Sequence, residues 1–421
     1  MLTQLPRGTK DIYGPEAAAW RAVEDVIRGI CRDFCLKEIR TPIFEHTELF
    51  TRSAGDASDV VQKEMYTFTD KGGRSLSLRP EGTAGAARAF VEHNMRSDGL
   101  PVKLFYIGPN FRYEKPAAGR WRQHHQFGAE IFGACGPEAD AEVISVAFEL
   151  LRRLGVADQA ELRINSLGGK ECRAAYNGRL DAFIVGNKNS LCETCRERAV
   201  KNPLRVLDCK DEKCRALLKA APEPADSLGP ECRGHFEGLL SLLGLMKIDF
   251  TVDPRLVRGF DYYTRTVFEF IDKKTGLALP AGGRYDGLIE ECGGEPAGGV
   301  GFGSGMERLM MVLEREGKLP AAEAGPRVYV GSVGEKGFAL SREATLGLRR
   351  AGIPAEWDIM GRSVKAQMKH ADKLGAEFSL ILGDDEAESG RAALRNMRTG
   401  EKEEVEIDRL AEAIGGRPCQ S

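Results

Sequence analysis

Residues that could do chemistry are densest in the stretch FYIGPNFRYEKPAAGRWRQHHQFGAEIFG, which begins at Phe105. Two strand-like runs, over residues 103–113 and 122–132, flank a segment that contains proline and glycine, and this pattern predicts a β-hairpin. Alternate residues of a strand share a face, so Arg112 and Glu114 would lie together. An arginine in that position could hold a phosphate with two parallel N–H donors. The hairpin is therefore a candidate phosphate site.

The second strand of this hairpin carries a carboxylate among apolar neighbours. Gln126, Gly128 and Glu130 would share one face, and Glu130 lies between Ala129 and Ile131. A buried carboxylate without a partner costs several kcal/mol, so Glu130 needs one. Two interpretations remain open: a cross-strand arginine–glutamate pair with no ligand, or a polar site that a ligand completes.

The segment LSLRPEGTAG places Glu81, Gly82 and Thr83 after a predicted strand. One interpretation is a helix N-terminus, where the helix dipole favours a carboxylate. The other is a carboxylate that holds a cationic amino group.

The segment LVRGFDYYTRTVFEF places Arg258 at a tight turn, before Tyr262 and Tyr263 at the start of a strand. The arginine and the two phenols could line a small polar pocket. The alternative is an aromatic edge of a sheet.

Glycines recur in GGVGFGSGMERL, which a strand tolerates only where something approaches its backbone closely. A flat base or a neighbouring strand would qualify. Glycine-rich turns between a strand and a helix also bind dinucleotides, but Gly301, Gly303 and Gly305 form G-x-G-x-G instead of G-x-G-x-x-G. A helix with Arg308 in its first turns is predicted to follow.

Four cysteines have spacing that could hold a metal: Cys192-x-x-Cys195, then Cys209 and Cys214. Four thiolates can bind zinc tetrahedrally. Free thiols in a small helical insertion are the alternative, so no metal ligand is assigned from the sequence.

The elements that would position these residues fall into two predicted domains, at residues 1–322 and 325–421. The first begins with a helix over residues 15–36, whose apolar residues recur at helical spacing. Strand-like sequence breaks off near residue 169 and resumes after residue 246, which predicts an insertion between them. A linker rich in small residues follows, and then strands and helices alternate, which predicts a parallel or mixed sheet.

The whole-chain composition limits the function classes. Among 421 residues, 60 Lys+Arg balance 63 Asp+Glu, so a uniformly basic nucleic-acid binder is excluded and RNA contacts need local patches. Lys365, Lys369 and Lys373 form such a patch on one predicted helix face, although a solvated face would look the same.

No apolar run reaches the ~18 residues of a membrane span. The 11 scattered cysteines and the lack of a signal-peptide core favour reduced thiols in the cytoplasm.

Together these segments resemble the histidyl-tRNA synthetases, a family of class II aminoacyl-tRNA synthetases. The segment from Ile39 to Glu45 is similar to the first motif of that class, FRYEKPAAGRWRQHHQFGAE to the second and GVGFGSGMERL to the third. LVRGFDYYTRTVFEF and AGGRYDGL resemble the two histidine-specific signatures. The resemblance covers essentially the whole chain.

The resemblance implies an α/β (α+β) fold, with an antiparallel-sheet catalytic domain, a helical insertion and a C-terminal α/β anticodon-binding domain. It implies ATP-dependent ligation of L-histidine to tRNA(His) through histidyl-adenylate, with release of pyrophosphate and AMP. ATP with Mg²⁺ would be a substrate, no organic cofactor or membrane is expected, and the enzyme would be a cytoplasmic homodimer.

The resemblance also implies roles for individual residues. Those expected to bind histidine are Glu81, Gly82, Thr83, Arg112, Gln126, Glu130, Arg258, Tyr262 and Tyr263. Those expected to bind ATP are Arg112, Glu114 and Arg308. Arg112 and Arg258 are expected to be catalytic, and Glu130 to accept an imidazole N–H. Residues expected to contact tRNA are Arg120, Lys365, Lys369 and Lys373. His124 and His125 are expected to have surface or structural roles.

Two rival functions remain open from the sequence. Some synthetase-like chains have lost catalysis and regulate another enzyme of histidine biosynthesis. A synthetase for another small amino acid is the second rival.

Overall fold

The structure is a computed structural model that describes residues 3–54, 58, 60–201, 203–207, 209, 211–320 and 325–415. The chain divides into two compact units, Met1–Ala321 and Ala322–Ser421. Part of the predicted linker, residues 321–324, lies outside the described residues. No helix within the described ranges combines the length and the apolar character needed to cross a membrane.

The first unit contains strands and helices that alternate irregularly along the chain. Its strands are β1 (Lys37–Glu38), β2 (Phe44–His46), β3 (Thr67–Thr69), β4 (Ser75–Leu78), β5 (Val102–Phe111), β6 (Gln123–Phe132), β7 (Ala160–Ser166), β8 (Thr251–Val252), β9 (Thr264–Asp272), β10 (Ala278–Arg284) and β11 (Gly299–Gly305). Its α-helices are α1 (Gly14–Asp33), α2 (Thr47–Ala54), α3 (Thr83–Glu92), α4 (Pro137–Arg153), α5 (Lys170–Gly186), α6 (Glu193–Lys201), α7 (Glu212–Leu218), α8 (Pro230–Leu245), α9 (Leu288–Glu291) and α10 (Met306–Arg315).

An eight-stranded sheet organises this unit, in the order β1-β5-β6-β11-β10-β9-β7-β8. The six inner strands pair antiparallel, and the short edge strands β1 and β8 pair parallel to their neighbours. This arrangement excludes the dinucleotide interpretation of the glycine run, because that fingerprint belongs to a parallel βαβ unit. β11 instead lies at the centre of the sheet, between β6 and β10.

The predicted hairpin is present as β5 and β6, with Val102 opposite Phe132 and Phe111 opposite Gln123. The first strand ends earlier than predicted, so Arg112 and Glu114 lie beyond it in the connection. The prediction that they share a strand face is therefore wrong.

One face of the sheet packs against helices in a large apolar core. Trp20, Val23, Ile27 and Ile30 of α1 are buried there, as their helical spacing predicts. The other face packs against α3 and against the segments that flank β9 and β10, which supply Tyr262, Tyr263 and Tyr285.

The predicted insertion, between about residues 169 and 246, is helical where the structure describes it. Its helices α5, α6 and α7 form a small core of their own, with Tyr176, Leu180 and Leu204 among its buried members. Helix α8 differs, because Leu239 and Leu243 join the main core of the unit.

The second unit forms a mixed sheet covered by helices. Its elements are β12 (Val328–Ser332), α11 (Gly334–Arg350), β13 (Ala355–Trp357), α12 (Val364–Lys373), β14 (Phe378–Leu382), α13 (Asp384–Ser389), β15 (Arg391–Asn396), β16 (Lys402–Glu406) and α14 (Leu410–Ala413). The strand order is β13-β12-β14-β15-β16, parallel over the first three strands and antiparallel over the rest. The predicted alternation is confirmed, and the β15–β16 hairpin is an addition that the sequence pattern did not predict.

Helix α12 presents its lysines to solvent and buries a different side against the sheet. Gln367 and Ala371 are buried, whereas Val364 is exposed. The Gln367 amide exchanges hydrogen bonds with the backbone of Ser332 at 2.8 Å in each direction, which ties α12 to β12.

Candidate functional site

Glu130 on β6 is fully buried, and three hydroxyl groups surround its carboxylate. Oε1 accepts hydrogen bonds from Thr83 Oγ1 at 2.7 Å and from Tyr106 OH at 3.0 Å. Oε2 accepts a hydrogen bond from Tyr285 OH. The partners that a buried carboxylate needs are therefore three hydroxyl groups. The interpretation of Glu130 as half of an arginine–glutamate pair is wrong.

The environment of Glu130 favours its neutral form. Burial raises the pKa of its carboxyl to about 8, while the hydroxyl donors act in the opposite direction. The nearby Glu81 carboxylate raises the pKa of Glu130 further. An incoming donor or cation that contacts Glu130 would favour its ionised form.

The glycine run of β11 makes room for the functional side chains of β6. Gly301 lies opposite Glu130 and Gly303 opposite Gly128 in the sheet register. A Cβ on Gly301 would come within 1.7 Å of Glu130 Oε2, and one on Gly303 within 1.7 Å of Gln126 Nε2. The predicted close approach to this backbone is real, and the approaching groups are side chains of the neighbouring strand.

Glu81 caps the first turn of α3. Its carboxylate accepts hydrogen bonds from the backbone N–H groups of Thr83, at 2.5 Å, and Ala84, at 2.9 Å. Burial raises the pKa of Glu81, and these backbone donors oppose the rise. The helix-start interpretation is confirmed, and the role in holding an amino group stays a prediction.

Three arginines predicted for the site converge from different elements on one cavity. Arg112 Nε donates to the carbonyl of Pro80 at 2.8 Å, and Arg308 Nε donates to the carbonyl of Gly119 at 3.0 Å. Arg258 Nη1 donates to Glu269 Oε1 at 3.2 Å.

The cavity has a volume of about 200 Å³ and a strongly polar lining. The predicted residues that line it are Arg112, Glu114, Arg120, Gln126, Arg258 and Arg308. Burial, with neighbouring Arg120 and Arg112, lowers the pKa of the Arg308 guanidinium. The lining holds four arginines against three glutamates, Glu114, Glu269 and Glu307, so cationic charge is in excess. Such a cavity suits an anionic ligand.

Other predicted residues lie outside the lining of this cavity, in a buried layer. They are Glu81, Gly82, Thr83, Glu130, Tyr262 and Tyr263. The rings of Tyr262 and Tyr263 are 4.7 Å apart, and Tyr262 meets Tyr285 edge-on at 5.6 Å. The structure therefore brings the predicted residues together as two adjoining parts, an arginine-lined cavity and a buried carboxylate with phenols around it.

The two adjacent histidines differ in their surroundings. His125 has a structural role, because its backbone N–H donates to Glu307 Oε1 at 2.8 Å and its ring packs edge-on against Trp20. His124 lines the cavity, and burial near Arg112 and Arg308 lowers its pKa to about 3. It is therefore uncharged at neutral pH.

Sequence reasoning missed four residues of the site: Tyr106, Asn110, Glu269 and Tyr285. Tyr106 and Tyr285 donate to Glu130, Asn110 Nδ2 donates to Gln126 Oε1 at 2.6 Å, and Glu269 pairs with Arg258. Tyr285 lies within AGGRYDGL, so the motif contained the signal. Strand alternation from Leu104 could have indicated Tyr106.

Arg284 in the same motif is structural. It is fully buried and forms an ion pair with the buried Asp140 of α4. It also donates to the carbonyls of Ala134, at 2.9 Å, and Gly136, at 3.0 Å.

The lysines predicted to contact tRNA lie in the second unit. Lys365, Lys369 and Lys373 are exposed along one side of α12. Their role stays a prediction.

Comparison with known proteins identifies the family. The family model described as "Histidyl-tRNA synthetase" matches residues 8–168 and 186–309, and the model "Anticodon binding domain" matches residues 327–417. The "Histidine--tRNA ligase" of Acetivibrio thermocellus is 50% identical over 413 residues, which cover 97% of this chain and 99% of that protein. The protein of the same name from Caldanaerobacter subterraneus subsp. tengcongensis is 51% identical over 417 residues, covering 98% of this chain and 100% of the relative.

A solved structure supports the same assignment. The crystal structure of apo histidyl-tRNA synthetase from S. aureus matches with a TM-score of 0.83 at 37% identity, over 98% of this chain and 99% of that one. The implied fold class, a catalytic domain with a largely antiparallel sheet plus an anticodon-binding domain, is confirmed. From its motifs, its sheet and these full-length matches, the chain belongs to the histidyl-tRNA synthetase family.

Proposed function

We propose that this chain is a histidine–tRNA ligase that joins L-histidine to tRNA(His) through histidyl-adenylate. The observation that carries the proposal is the Glu130 cluster beside the arginine-lined cavity. A carboxylate has about four acceptor positions, and the hydroxyls of Thr83, Tyr106 and Tyr285 take three of them. The remaining position, on Oε2, suits the N–H of an imidazole.

Histidine would lie along β6, between its two polar side chains. Gln126 is at the cavity wall, and Glu130 is four residues further along the same strand face. Because Glu130 is 0% exposed, the imidazole can reach it only if the tyrosine layer opens. Glu81 and Thr83 would hold the amino group, with Tyr262 and Tyr263 closing the pocket.

ATP would occupy the cationic cavity. In the first step, the histidine carboxylate attacks the α-phosphate and pyrophosphate leaves, so negative charge builds up on the phosphate oxygens. Arg112 and Arg258 would stabilise that charge, and Glu114 and Arg308 would position the nucleotide. In the second step, the terminal ribose of the tRNA takes the histidyl group and AMP leaves.

Mg²⁺ would accompany ATP. Glu114 and Glu269 line the cavity and provide the carboxylate oxygens that this ion prefers. When bound, Mg²⁺ would neutralise part of the phosphate charge.

Family membership and surface features support the proposed partners. The exposed Lys365, Lys369 and Lys373, with Arg120 in the first unit, would contact the tRNA phosphates. A homodimer would cover the apolar side chains of Ile43, Phe44 and Phe68, which are 44%, 50% and 43% exposed. Among the described residues every cysteine is a free thiol, which suits a cytoplasmic enzyme.

ATP–pyrophosphate exchange tests the proposal directly. We expect exchange that depends on L-histidine and is absent with other small amino acids. A chain that binds histidine without exchange would be a regulatory binding subunit instead. Exchange with a different amino acid would reassign the substrate.

A further inference from the structure

Four cysteines of the insertion have their sulfur atoms close together in the structure. The Sγ atoms of Cys192, Cys195, Cys209 and Cys214 all lie within 4.8 Å of one another, and those of Cys192 and Cys209 are 3.8 Å apart. Tetrahedral Zn–S bonds of about 2.3 Å place two sulfurs about 3.8 Å from each other. A disulfide would need about 2.0 Å. The spacing therefore fits four ligands of one metal ion and not a pair of bridged cysteines.

The surrounding backbone supports sulfur atoms that carry negative charge. The backbone N–H of Cys192 donates to Cys214 Sγ at 3.1 Å, and the backbone N–H of Cys195 donates to Cys192 Sγ. Asp211 caps α7 by accepting from the Cys214 N–H at 3.0 Å, which holds that ligand in place. Such contacts orient metal ligands from outside the coordination sphere.

We propose that Cys192, Cys195, Cys209 and Cys214 bind one Zn²⁺ in a structural site. Four thiolates fill a tetrahedral shell, so the ion keeps no open position for a substrate or a water molecule. Cys195 and Cys214 are fully buried and Cys209 is 9% exposed, which is typical of a closed site. Soft sulfur ligands in this geometry select zinc, with iron as the other candidate.

The local structure explains why this segment needs a cross-link. Helix α6 has nine residues and α7 has seven, shorter than the lengths at which helices are stable by themselves. Between them lies the 3₁₀ helix Pro203–Val206, and their shared core is small. A metal ion that ties the two helices together replaces the apolar burial that so short a segment lacks.

The site also bears on the shape of the catalytic unit. A second cavity, of about 680 Å³, has Cys192 and Cys209 in its lining. Arg198 and Arg205 of the insertion line the same cavity, together with Arg112 and Arg308. Zinc would thus position the insertion side of this arginine-lined cavity without contacting the reacting atoms.

Metal analysis of the full-length chain, purified under reducing conditions without a chelating tag, tests the proposal. We expect about one zinc per chain, retained through gel filtration and released when a mercurial reagent blocks the thiols. After zinc is replaced by Co²⁺, we expect the d–d and thiolate charge-transfer bands of tetrahedral sulfur ligation. Less than about a tenth of an equivalent of zinc, together with no Co²⁺ spectrum, would overturn the proposal. Iron in place of zinc, or a disulfide detected by intact mass, would overturn it as well.

Variants locate the site. Cys209→Ser and Cys214→Ser should each lower zinc content at least tenfold, whereas Cys135→Ser, at an exposed cysteine far along the chain, should keep it. Limited proteolysis provides a readout besides activity: removing zinc should open cleavage sites between residues 191 and 218 first. Unchanged zinc content in both ligand variants would place the metal elsewhere and refute the assignment.

Discussion

At the scale of single residues, the site combines two electrostatic arrangements that need different ligands. Glu130 is a buried acceptor whose charge is costly until a donor arrives. Arg112, Arg258 and Arg308 are donors around a cavity whose own carboxylates offset only part of their charge. An amino acid with a basic ring would suit the surroundings of Glu130, and a nucleotide with several phosphates would suit the arginine-lined cavity.

Arg258 should matter for chemistry more than for binding. We expect Arg258→Ala to slow adenylate formation by about 10²–10³-fold, the effect of losing one donor to developing charge. Transfer of histidine from preformed adenylate to tRNA should change much less, since pyrophosphate has already left. Arg258→Lys should recover only part of the rate, because an ammonium lacks the planar fork. Rapid-quench measurement of each step separately gives the comparison.

The matched control is Arg255→Ala, three residues earlier. Arg255 donates to the backbone carbonyls of Ala221 and Lys219, and both steps should remain near the wild-type rate. An Arg258→Ala enzyme with both steps slowed equally would mean that the residue shapes the pocket.

Glu130→Gln should separate stability from function. The unfolded chain has an ordinary glutamate pKa near 4.5, whereas burial raises the folded value to about 8, so the folded state binds the proton more tightly. The cost of this carboxyl is therefore absent below pH 4.5 and grows as pH rises towards 8, by at most about 1.4 kcal/mol for each pH unit. The neutral amide removes that cost. The melting temperature of the variant, relative to wild type, should thus increase from pH 5 to pH 8.

The same variant should lose histidine selection. An amide adds donors to a site that needs an acceptor, so kcat/KM for histidine in pyrophosphate exchange should fall by about 100-fold or more. Glu291→Gln is the control, because burial also raises the pKa of that carboxyl but it lies outside the site. Wild-type histidine kinetics in Glu130→Gln would remove the residue from the pocket.

At the scale of elements, two adjacent strands of the sheet form the site together. β6 supplies the polar side chains, and β11 supplies a backbone without side chains to receive them. The glycines are thus required by the partner strand. The effect of replacing a glycine of β11 should therefore depend on which atoms of β6 its new side chain would meet.

Gly303→Ala should still fold, but it should bind histidine poorly. The three atoms nearest to its new Cβ would all belong to the Gln126 side chain, with Nε2 at 1.7 Å, and this flexible side chain can swing away. We expect the melting temperature to fall only slightly and KM for histidine to rise about tenfold, since one polar contact of about 1.4 kcal/mol is lost.

Two comparisons make this prediction specific. Gly301→Ala should destabilise the fold by more, because its Cβ would also press on the Ala129 carbonyl at 2.6 Å. Gly244→Ala in α8 meets nothing within 4 Å and should behave as wild type. Equal histidine KM in Gly303→Ala and Gly244→Ala would contradict the role of Gln126.

At the scale of the whole molecule, the chain consists of two units with separate cores. The apolar clusters of the first unit end at Leu313, and those of the second begin at Val328, so far as the described residues extend. The candidate active-site residues all lie in the first unit. The exposed lysines of α12 lie in the second.

A fragment that ends at residue 319 should therefore make adenylate but charge tRNA poorly. Histidine-dependent pyrophosphate exchange should stay within about threefold of the full chain, whereas aminoacylation should fall by at least about 100-fold with the loss of phosphate contacts. The full chain with Lys365, Lys369 and Lys373 changed to glutamine should show a smaller loss of the same kind. Equal aminoacylation by fragment and full chain would remove the second unit from tRNA binding.

Local pattern was sufficient for much of the fold. Helix α1, the β5–β6 hairpin and the alternating second unit follow from periodicity and turn residues, because neighbours along the chain decide them. The same holds for the glycine run, whose spacing already required a close approach. The family motifs also contain most of the candidate site residues, although their individual roles stay predictions.

Only the tertiary structure decided what surrounds those residues. The hydroxyls around Glu130 come from positions 24, 47 and 155 residues away, and Asp140 finds Arg284 at a separation of 144 residues. No local pattern encodes such pairs, because they depend on the order of strands β5-β6-β11-β10 in the sheet. The four cysteines are the intermediate case: their types and spacing allowed a metal site, and folding of the insertion brought their sulfurs to the distances that one ion requires.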